Sequence, residues 1–469
     1  MHKHLLALAA SVATLAFSTT AFAQANQLYT GQVGDGNQLN IDQSGSNGYV
    51  GFDANLRANQ IGNNNTLTVN QGGSNNVVGA TNFTGVGSGN PNYGADQTGN
   101  GNFLRIDQSG TSNQARYQQR GNGNGVVPVP NGYAGPNSFN SPYTGGLPTA
   151  NNGGGAAYAG ETPTGRGDYI QQAGTRSSVS VFQDSTGGTG NGLIIRQNST
   201  DSSIDLTQNS GGGEANYAYF AQFGGFNNSA SVTQQNNGPV ANFVDVRQSD
   251  SNNAANNSRV TASQTGSSLA LFANQTGDGN ISNTTQTGSG STMSIFQNAY
   301  TGGVGFENVV TANQSGSDQY LVAVQNGAVN SLTSVQAGIG NRATTSQTGF
   351  YNSIDNGQSG TGQVLDVTQN NSQIRLGNTV TNRQDNGSGV GGNSLTVRQD
   401  GYLLLATSTQ SGTGNAAIVD QNGFSNQYIG VQTGMTNSAN VLQGANGNIA
   451  NVLQNGVSNV ATITQNRTR

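Results

Sequence analysis

Residues 415–421 read Asn-Ala-Ala-Ile-Val-Asp-Gln, and the same frame returns in 437–443 as Asn-Ser-Ala-Asn-Val-Leu-Gln. In this seven-residue unit, called the cassette below, an amide, two apolar residues and a glutamine occupy every second position. A period of two places these four side chains on one face of a β-strand. The stretch therefore predicts a strand whose marked face is half apolar and half amide.

The cassette glutamine recurs every eleven residues over long parts of the chain. The clearest run leads from Gln399 to Gln465 in six successive steps of eleven. Where the spacing widens, as between Gln183 and Gln197, the extra residues fall between a glutamine and the next cassette. Strand length is therefore constant while turn length varies, which is expected when strands stack on copies of themselves and turns face water.

Thirty-two cassettes lie between Asn26 and Gln465. Two cassettes with their turns make a strand-turn-strand rung of about 22 residues, and such rungs stack about 4.8 Å apart. The sequence thus predicts an all-β, cross-β-like β-solenoid of about sixteen rungs with two facing parallel sheets. Inward amides would then donate and accept along the stack, which avoids the ~1–3 kcal/mol cost of a buried amide without a partner. The alternative, that Asn and Gln only flank turns, stays open.

In the C-terminal repeats the first and last cassette positions are assigned to an inward stacking ladder that serves self-assembly. The glutamines are Gln314, Gln325, Gln336, Gln347, Gln358, Gln369, Gln399, Gln410, Gln421, Gln432, Gln443, Gln454 and Gln465. The asparagines are Asn330, Asn341, Asn352, Asn415, Asn426, Asn437, Asn448 and Asn459. A glycine two residues after the glutamine is expected to form a tight bend, with positive φ where needed. These turn glycines are Gly338, Gly349, Gly412, Gly423, Gly434 and Gly456.

The chain divides into four segments. Residues 1–23 have a weakly basic start, an apolar run and an Ala-Phe-Ala end, which predict a secretory signal peptide cleaved between Ala23 and Gln24. A retained membrane anchor is the alternative for this leader. Residues 24–119 and 169–469 carry the repeats. Residues 120–168 hold six of the eight prolines, which favours a Gly/Pro/Asn-rich loop or linker over a small folded module.

Composition removes most catalytic chemistry. There is no Cys, and the only His and Lys residues are His2, His4 and Lys3, inside the predicted leader. A mature chain without these residues builds no disulfide, Ser-His-Asp triad, Cys-His pair or Schiff base. The acidic balance without a basic cluster argues against nucleic acid. Because the acidic residues are scattered, we expect no enzyme activity, metal, cofactor or small-molecule substrate.

Both ends of the repeat array are expected to be open. The first cassette begins just after the predicted cleavage site, and the last ends at Gln465. An uncovered rung presents backbone N–H and C=O groups that template another chain. The sequence therefore predicts end-to-end polymerisation into a homopolymeric fibre. A secreted β-solenoid adhesin that does not polymerise is the alternative.

The repeats resemble the curlin repeat of bacterial curli-type amyloid fibres, whose pattern is Ser-x5-Gln-x-Gly-x2-Asn-x-Ala-x3-Gln. Gln410, Gly412, Asn415, Ala417 and Gln421 match its second half. The resemblance implies a secreted subunit that forms adhesive fibres of the biofilm matrix at the bacterial surface. It also implies other curlin-type subunits or a nucleator as partners, and export through an outer-membrane pore with chaperones. A nucleating role for this chain itself remains a further alternative.

Overall fold

The structure is a computed structural model that describes residues 26–51, 57–79, 95–122, 124, 168–186, 190–248, 255–299, 307–374, 376–387, 389 and 391–465. The regular structure in these residues is β throughout, with no helix, so none of their segments is a helix long and apolar enough to cross a membrane. The predicted signal peptide, its cleavage at Ala23 and Gln24, and most of the 120–168 segment lie outside the described residues.

Thirty-six strands follow one another along the described chain. They are β1 Gln27–Leu28, β2 Thr30–Val33, β3 Gln38–Gln43, β4 Tyr49–Val50, β5 Ala58–Ile61, β6 Thr66–Gln71, β7 Val77–Val78, β8 Ala95–Thr98, β9 Phe103–Gln108, β10 Gln114–Gly121, β11 Asp168–Gln172, β12 Ser178–Ser185, β13 Gly192–Thr200, β14 Ser203–Asn209, β15 Asn216–Phe226, β16 Ser229–Asn236, β17 Asn242–Gln248, β18 Ala255–Asn256, β19 Arg259–Ser267, β20 Ala270–Asp278, β21 Ile281–Ser289, β22 Thr292–Ala299, β23 Val309–Ser317, β24 Tyr320–Ala328, β25 Ser331–Ile339, β26 Arg342–Phe350, β27 Ser353–Thr361, β28 Val364–Asn371, β29 Thr379–Asp385, β30 Ser394–Tyr402, β31 Leu405–Thr413, β32 Ala416–Phe424, β33 Gln427–Met435, β34 Ser438–Gln443, β35 Ile449–Val457 and β36 Val460–Gln465.

These strands form two parallel sheets between which the chain alternates. The first sheet stacks β1 and β2, β4 and β5, β7 and β8, then β10, β12, β14, β16, β19, β21, β23, β25, β27, β29, β31, β33 and β35. The second stacks β3, β6, β9, β11, β13, β15, β17, β20, β22, β24, β26, β28, β30, β32, β34 and β36. The remaining strand, β18, pairs with the end of β20. Each sheet therefore has sixteen levels, and the predicted all-β β-solenoid is confirmed.

The cassette sets the register between neighbouring levels. Gln421 lies opposite Gln399 in the second sheet, and Gln432 lies opposite Gln410 in the first. Side chains alternate between the two faces of a strand, so a slip by one residue would turn the whole apolar set toward water. In-register stacking of like on like is therefore the arrangement that buries every cassette.

The core lies between the two sheets and is filled by the third and fifth cassette positions. Ala417 and Val419 are 2% and 1% exposed, whereas their outward neighbour Ile418 is 53% exposed. Most of the buried apolar residues form one cluster that extends from Val50 to Val452, and a second, smaller cluster contains Ala215, Tyr217, Phe243, Ala270 and Phe272. The period of two in the sequence thus separates the side chains that face the core from those that face solvent.

The number of residues per level varies, as the widened glutamine spacings in the sequence indicate. Stacked glutamines are 22 residues apart where Gln399, Gln421 and Gln443 follow one another. The separation rises to 30 between Gln369 and Gln399 and to 64 where the 120–168 segment intervenes. Since the strands keep their register across these steps, the additional residues are accommodated in the connections.

The glycines assigned to a tight bend lie within the last residues of their strands, two residues before the chain turns. Gly412 lies in β31 with φ 101° and pairs with Gly434 in β33. The chain turns two residues later, at Gly414 with φ 67°, or at Ser425 with φ 57° in the next connection. The other assigned glycines have the same arrangement as Gly412, with φ between 95° and 117°: Gly338, Gly349, Gly423, Gly434 and Gly456. The earlier glycine therefore belongs to the ladder.

Candidate functional site

A continuous ladder of glutamine side chains follows each sheet. In the first sheet each Nε2 donates to the Oε1 of the next glutamine, over distances of 2.6–3.1 Å. The members are Gln32, Gln60, Gln97, Gln119, Gln183, Gln208, Gln234, Gln264, Gln286, Gln314, Gln336, Gln358, Gln384, Gln410, Gln432 and Gln454. Every bond points toward the C-terminal end of the stack.

The second sheet carries an equivalent ladder with the same direction. Its Nε2–Oε1 distances are 2.6–3.0 Å. The members are Gln43, Gln71, Gln108, Gln172, Gln197, Gln222, Gln248, Gln275, Gln297, Gln325, Gln347, Gln369, Gln399, Gln421, Gln443 and Gln465. All thirty-two cassette glutamines are thus linked through the interior of the stack.

The second hydrogen of the glutamine amide links the two sheets. Gln421 donates Nε2–H to the carbonyl of Leu405 at 3.0 Å, and Gln410 donates to the carbonyl of Ser394 at 2.9 Å. In both cases the acceptor begins the facing strand. The amide therefore uses both hydrogens and its oxygen without water, which satisfies a buried polar group completely. The longer glutamine side chain reaches a carbonyl that lies on the facing strand.

The asparagines at the first cassette position form ladders that point the opposite way. Asn437 donates its backbone N–H and Nδ2–H to the Oδ1 of Asn415, at 3.1 and 2.9 Å. The Nδ2 of Asn437 also lies 3.0 Å from the carbonyl oxygen of Thr433, across the turn. Asn therefore closes the turn and bonds toward the N-terminal end, while Gln bonds across the core and toward the C-terminal end.

The residues assigned to the ladder from the sequence lie inside the stack, except at its last level. The assigned glutamines from Gln314 to Gln454 are at most 5% exposed, and Gln465 is partly buried. The assigned asparagines from Asn330 to Asn448 are at most 7% exposed, and Asn459 is exposed. Gln465 and Asn459 belong to the last described level, so no later level covers them.

The turn glycines lie where the stack has no room for a side chain. A Cβ on Gly412 would lie 2.1 Å from the carbonyl oxygen of Gly434, and a Cβ on Gly434 would lie 2.0 Å from that of Gly456. Backbone cannot move away as a flexible side chain can, so close stacking at Gly412 and Gly434 leaves no space for a Cβ. Gly456 differs because the nearest atom to its Cβ is Asn459 Nδ2 at 3.5 Å.

The last level exposes part of the core. Ala461 and Ile463, the inward residues of β36, are only partly buried, whereas Ala439 and Val441 one level earlier are 2% and 0% exposed. Among the described residues β36 pairs with β34 alone and β35 with β33 alone. This end therefore presents apolar side chains together with backbone groups that have no strand on their outer side.

Sequence reasoning missed a polar column within the core of the first sheet. Ser334, Asn356, Asn382 and Ser408 occupy successive fifth cassette positions and are at most 2% exposed. Asn356 donates Nδ2–H to Ser334 Oγ at 3.0 Å, and Asn382 donates Nδ2–H to Asn356 Oδ1 at 2.9 Å. The sequence does contain a signal for this column, because Ser or Asn holds the fifth position in every second cassette here.

Acidic residues do not cluster into a metal site in the described part of the chain. It contains no group of three or more His, Cys, Asp or Glu residues that would hold a metal ion. Asp245 pairs with Arg247 at 2.8 Å, and Asp201 pairs with Arg176 in an exposed turn. Burial raises the pKa of Asp245, an effect that Arg247 opposes. These ion pairs support strands and turns.

One short segment of the chain matches a known protein family. Residues 392–423 match the curlin associated repeat. The match covers β30, β31 and most of β32, including Gln399, Gln410 and Gln421. No curated protein matches the chain. The curlin repeat and the β-solenoid together fit a structural, non-enzymatic subunit of the curli type.

Proposed function

We propose that this chain is a secreted structural subunit that stacks end to end into extracellular amyloid fibres of the curli type, which mediate cell adhesion and form biofilm matrix. The observation that carries the proposal is the pair of glutamine ladders. Each ladder contains sixteen glutamines, and every side-chain hydrogen bond between them has the same direction. A ladder of this kind has no preferred length, because each level satisfies the next in the same way.

The two ends of the ladders are complementary. At the C-terminal end Gln454 and Gln465 donate to the carbonyls of Ser438 and Ile449, and the second hydrogen of each amide has no acceptor among the described residues. At the other end no described residue donates to the Oε1 of Gln32 or Gln43. A second copy that places its first level on the last level of this chain extends both ladders.

This role defines the partners and the location. The main partner is another copy of the chain, joined by other curlin-type subunits or a nucleator. The leader directs the chain to the periplasm, and an outer-membrane pore with accessory chaperones delivers it to the cell surface. The curlin repeat at 392–423 supports this route.

Assembly of the purified mature chain, residues 24–469, tests the proposal. Incubation should raise thioflavin fluorescence after a lag and give fibres with a diffraction reflection at about 4.8 Å along the axis, the spacing of stacked strands. A chain that stays monomeric at high concentration and lacks this reflection would be a surface adhesin that does not polymerise.

The ladder residues are tested by a triple substitution. Changing Gln421, Gln432 and Gln443 to Ala leaves the amides and carbonyls around them without partners, at about 1–3 kcal/mol for each buried group. We expect slower assembly and a lower urea midpoint of the fibres. Matched substitutions of the outward residues Ile418 and Asp420 to Ala should leave both nearly unchanged. Equal effects of the two sets would contradict a role of the ladders in assembly.

A further inference from the structure

A carboxyl group lies in the core where the cassette pattern calls for an apolar residue. Asp168 is 1% exposed and begins β11 at the third cassette position. Its neighbour on β9 is Leu104, and Leu193 holds the same cassette position on β13. The facing residue across the core is Tyr117 of β10, which is 0% exposed.

Three polar groups form hydrogen bonds with this carboxyl. Leu193 donates its backbone N–H to Asp168 Oδ1 at 2.8 Å, and Gln119 donates Nε2–H to Asp168 Oδ2 at 3.0 Å. The Tyr117 hydroxyl makes a short hydrogen bond with Asp168 Oδ2. The same hydroxyl lies 2.6 Å from Gln183 Oε1. Three oxygen atoms, of Asp168, Tyr117 and Gln183, therefore stand in a row at hydrogen-bond distance.

The ladder fixes which atom of Gln183 faces the tyrosine. The two hydrogens of Gln119 Nε2 are shared among Gln183 Oε1 at 3.1 Å, Asp168 Oδ2 at 3.0 Å and the Phe103 carbonyl oxygen at 3.2 Å. Gln183 donates Nε2–H to Gln208 Oε1 at 2.8 Å. Turning the Gln183 amide around would break its bonds to Gln119 and Gln208. The atom beside the Tyr117 hydroxyl is therefore an oxygen, which accepts and does not donate.

The two contacts in the row of three oxygens need two hydrogens. A hydroxyl carries one hydrogen, so Tyr117 can donate to Asp168 or to Gln183 but not to both. With an ionised Asp168, one of the two oxygen–oxygen contacts holds no hydrogen and is repulsive. With a protonated Asp168, the acid donates to Tyr117 and Tyr117 donates to Gln183, so both contacts are hydrogen bonds.

No charged side chain faces Asp168 from the surrounding described strands. Their charged residues stand at outward positions: Arg105 and Asp107 on β9, Arg116 and Arg120 on β10, Asp184 on β12 and Arg196 on β13. Tyr117 is the titratable side chain that faces it, and burial raises the pKa of Tyr117, so the phenol keeps its proton. Burial likewise raises the pKa of Asp168 to about 7, against the smaller opposing effect of its hydrogen bonds.

We propose that Asp168 is a neutral carboxylic acid in the folded stack and that its O–H donates a hydrogen bond to the Tyr117 hydroxyl. Release of this proton to solvent then loosens the level formed by β10 and β11. The stack is then more stable in acid than in alkali at this level. The proposal concerns the folding of the chain and does not depend on fibre formation.

The pH range follows from the two states of the carboxyl. An unfolded aspartate has a pKa of about 3.9, so the unfolded chain loses the proton first as pH rises. The contribution of the neutral acid is complete below pH ~4, falls as pH rises from ~4 to the folded pKa of about 7, and reaches a constant low value above it.

Infrared spectroscopy of the mature chain tests the protonation state directly. At pH 6 exposed aspartates are ionised, so a buried neutral acid should give a separate carboxylic carbonyl band. The band should disappear in Asp168→Asn and remain in Asp318→Asn, which alters an exposed aspartate in a turn whose φ of 55° asparagine tolerates. A spectrum with no band that depends on Asp168 overturns the proposal.

Urea unfolding tests the consequence for stability. Between pH 5 and pH 9 the unfolding constant of the native chain should rise about a hundredfold more than that of Asp168→Asn, with Asp318→Asn following the native chain. Parallel pH profiles for the native chain and Asp168→Asn overturn the proposal. If Asp168→Asn does not fold, Tyr117→Phe serves instead, because the loss of the hydroxyl must shift the frequency of the acid band. An unshifted band also overturns the proposal.

Discussion

Gly412, two residues after a cassette glutamine, is a residue that the close stacking of levels strictly requires. At Gly412 the backbone has φ 101°, and the carbonyl oxygen of Gly434 occupies the place of a side chain. At Gly447, in the turn proper, φ is 68° and no heavy atom would lie within 4 Å of a Cβ at this position. The two glycines thus differ in packing, although both have positive φ.

Substitution by alanine should separate these two causes. Gly447→Ala carries only the conformational penalty of a left-handed residue, about 1–2 kcal/mol. Gly412→Ala adds the displacement of a backbone carbonyl in the next level, so its urea midpoint should fall well below that of Gly447→Ala. Equal midpoints measured by circular dichroism would show that the levels separate easily at this point.

The seven-residue cassette keeps its length through the stack, whereas the connections between cassettes vary in length. β30, β31, β32 and β33 each have nine residues and pair in register with their neighbours. A single extra residue in a strand moves all following side chains to the other face. An insertion in a connection leaves the faces unchanged and adds only loop entropy, which grows slowly with length.

Two insertions in one region should therefore have opposite outcomes. One alanine inserted between Val441 and Leu442 turns Gln443 outward and should abolish cooperative unfolding of the last levels. Four residues inserted after Ala445, in the connection before β35, should lower the urea midpoint only slightly. Hydrogen exchange of β34 and β36 measures both, and comparable loss of protection would contradict the distinction.

The whole molecule has a direction, because the two glutamine ladders donate toward its C-terminal end. Stacking of a second copy in the same direction continues both ladders, whereas a reversed copy would bring donors against donors or acceptors against acceptors. Fibres built in this way are polar, and the last level of each subunit contacts the first level of the next.

Gly456→Ala should block one end of such a fibre. In the single chain its Cβ meets nothing closer than 3.5 Å, whereas in the interior the equivalent Cβ on Gly434 would lie 2.0 Å from the next carbonyl oxygen. Small amounts of this variant, added to growing wild-type fibres, should join by their first level and stop elongation. Gly447→Ala is the control. Unchanged elongation, followed by fluorescence microscopy of labelled fibres, would contradict this direction of stacking.

The alternation of cassette residues made the fold class predictable from the chain alone. Asn415, Ala417, Val419 and Gln421 share a face because the side chains of a strand alternate, a local property that needs no knowledge of distant residues. The repetition of the cassette then predicts parallel stacking with like on like. The lengthening of individual levels was also visible, as residues added between glutamine and cassette.

Partner choice, by contrast, depends on residues that are remote in the chain. The opposite directions of the Gln and Asn ladders arise from bonds between residues at least 22 positions apart. The requirement for Gly412 arises from a carbonyl oxygen in the next level. The pairing of Asp168 with Tyr117 spans 51 positions. Alternation places a side chain on a face, but only packing in three dimensions selects the atoms that it meets there.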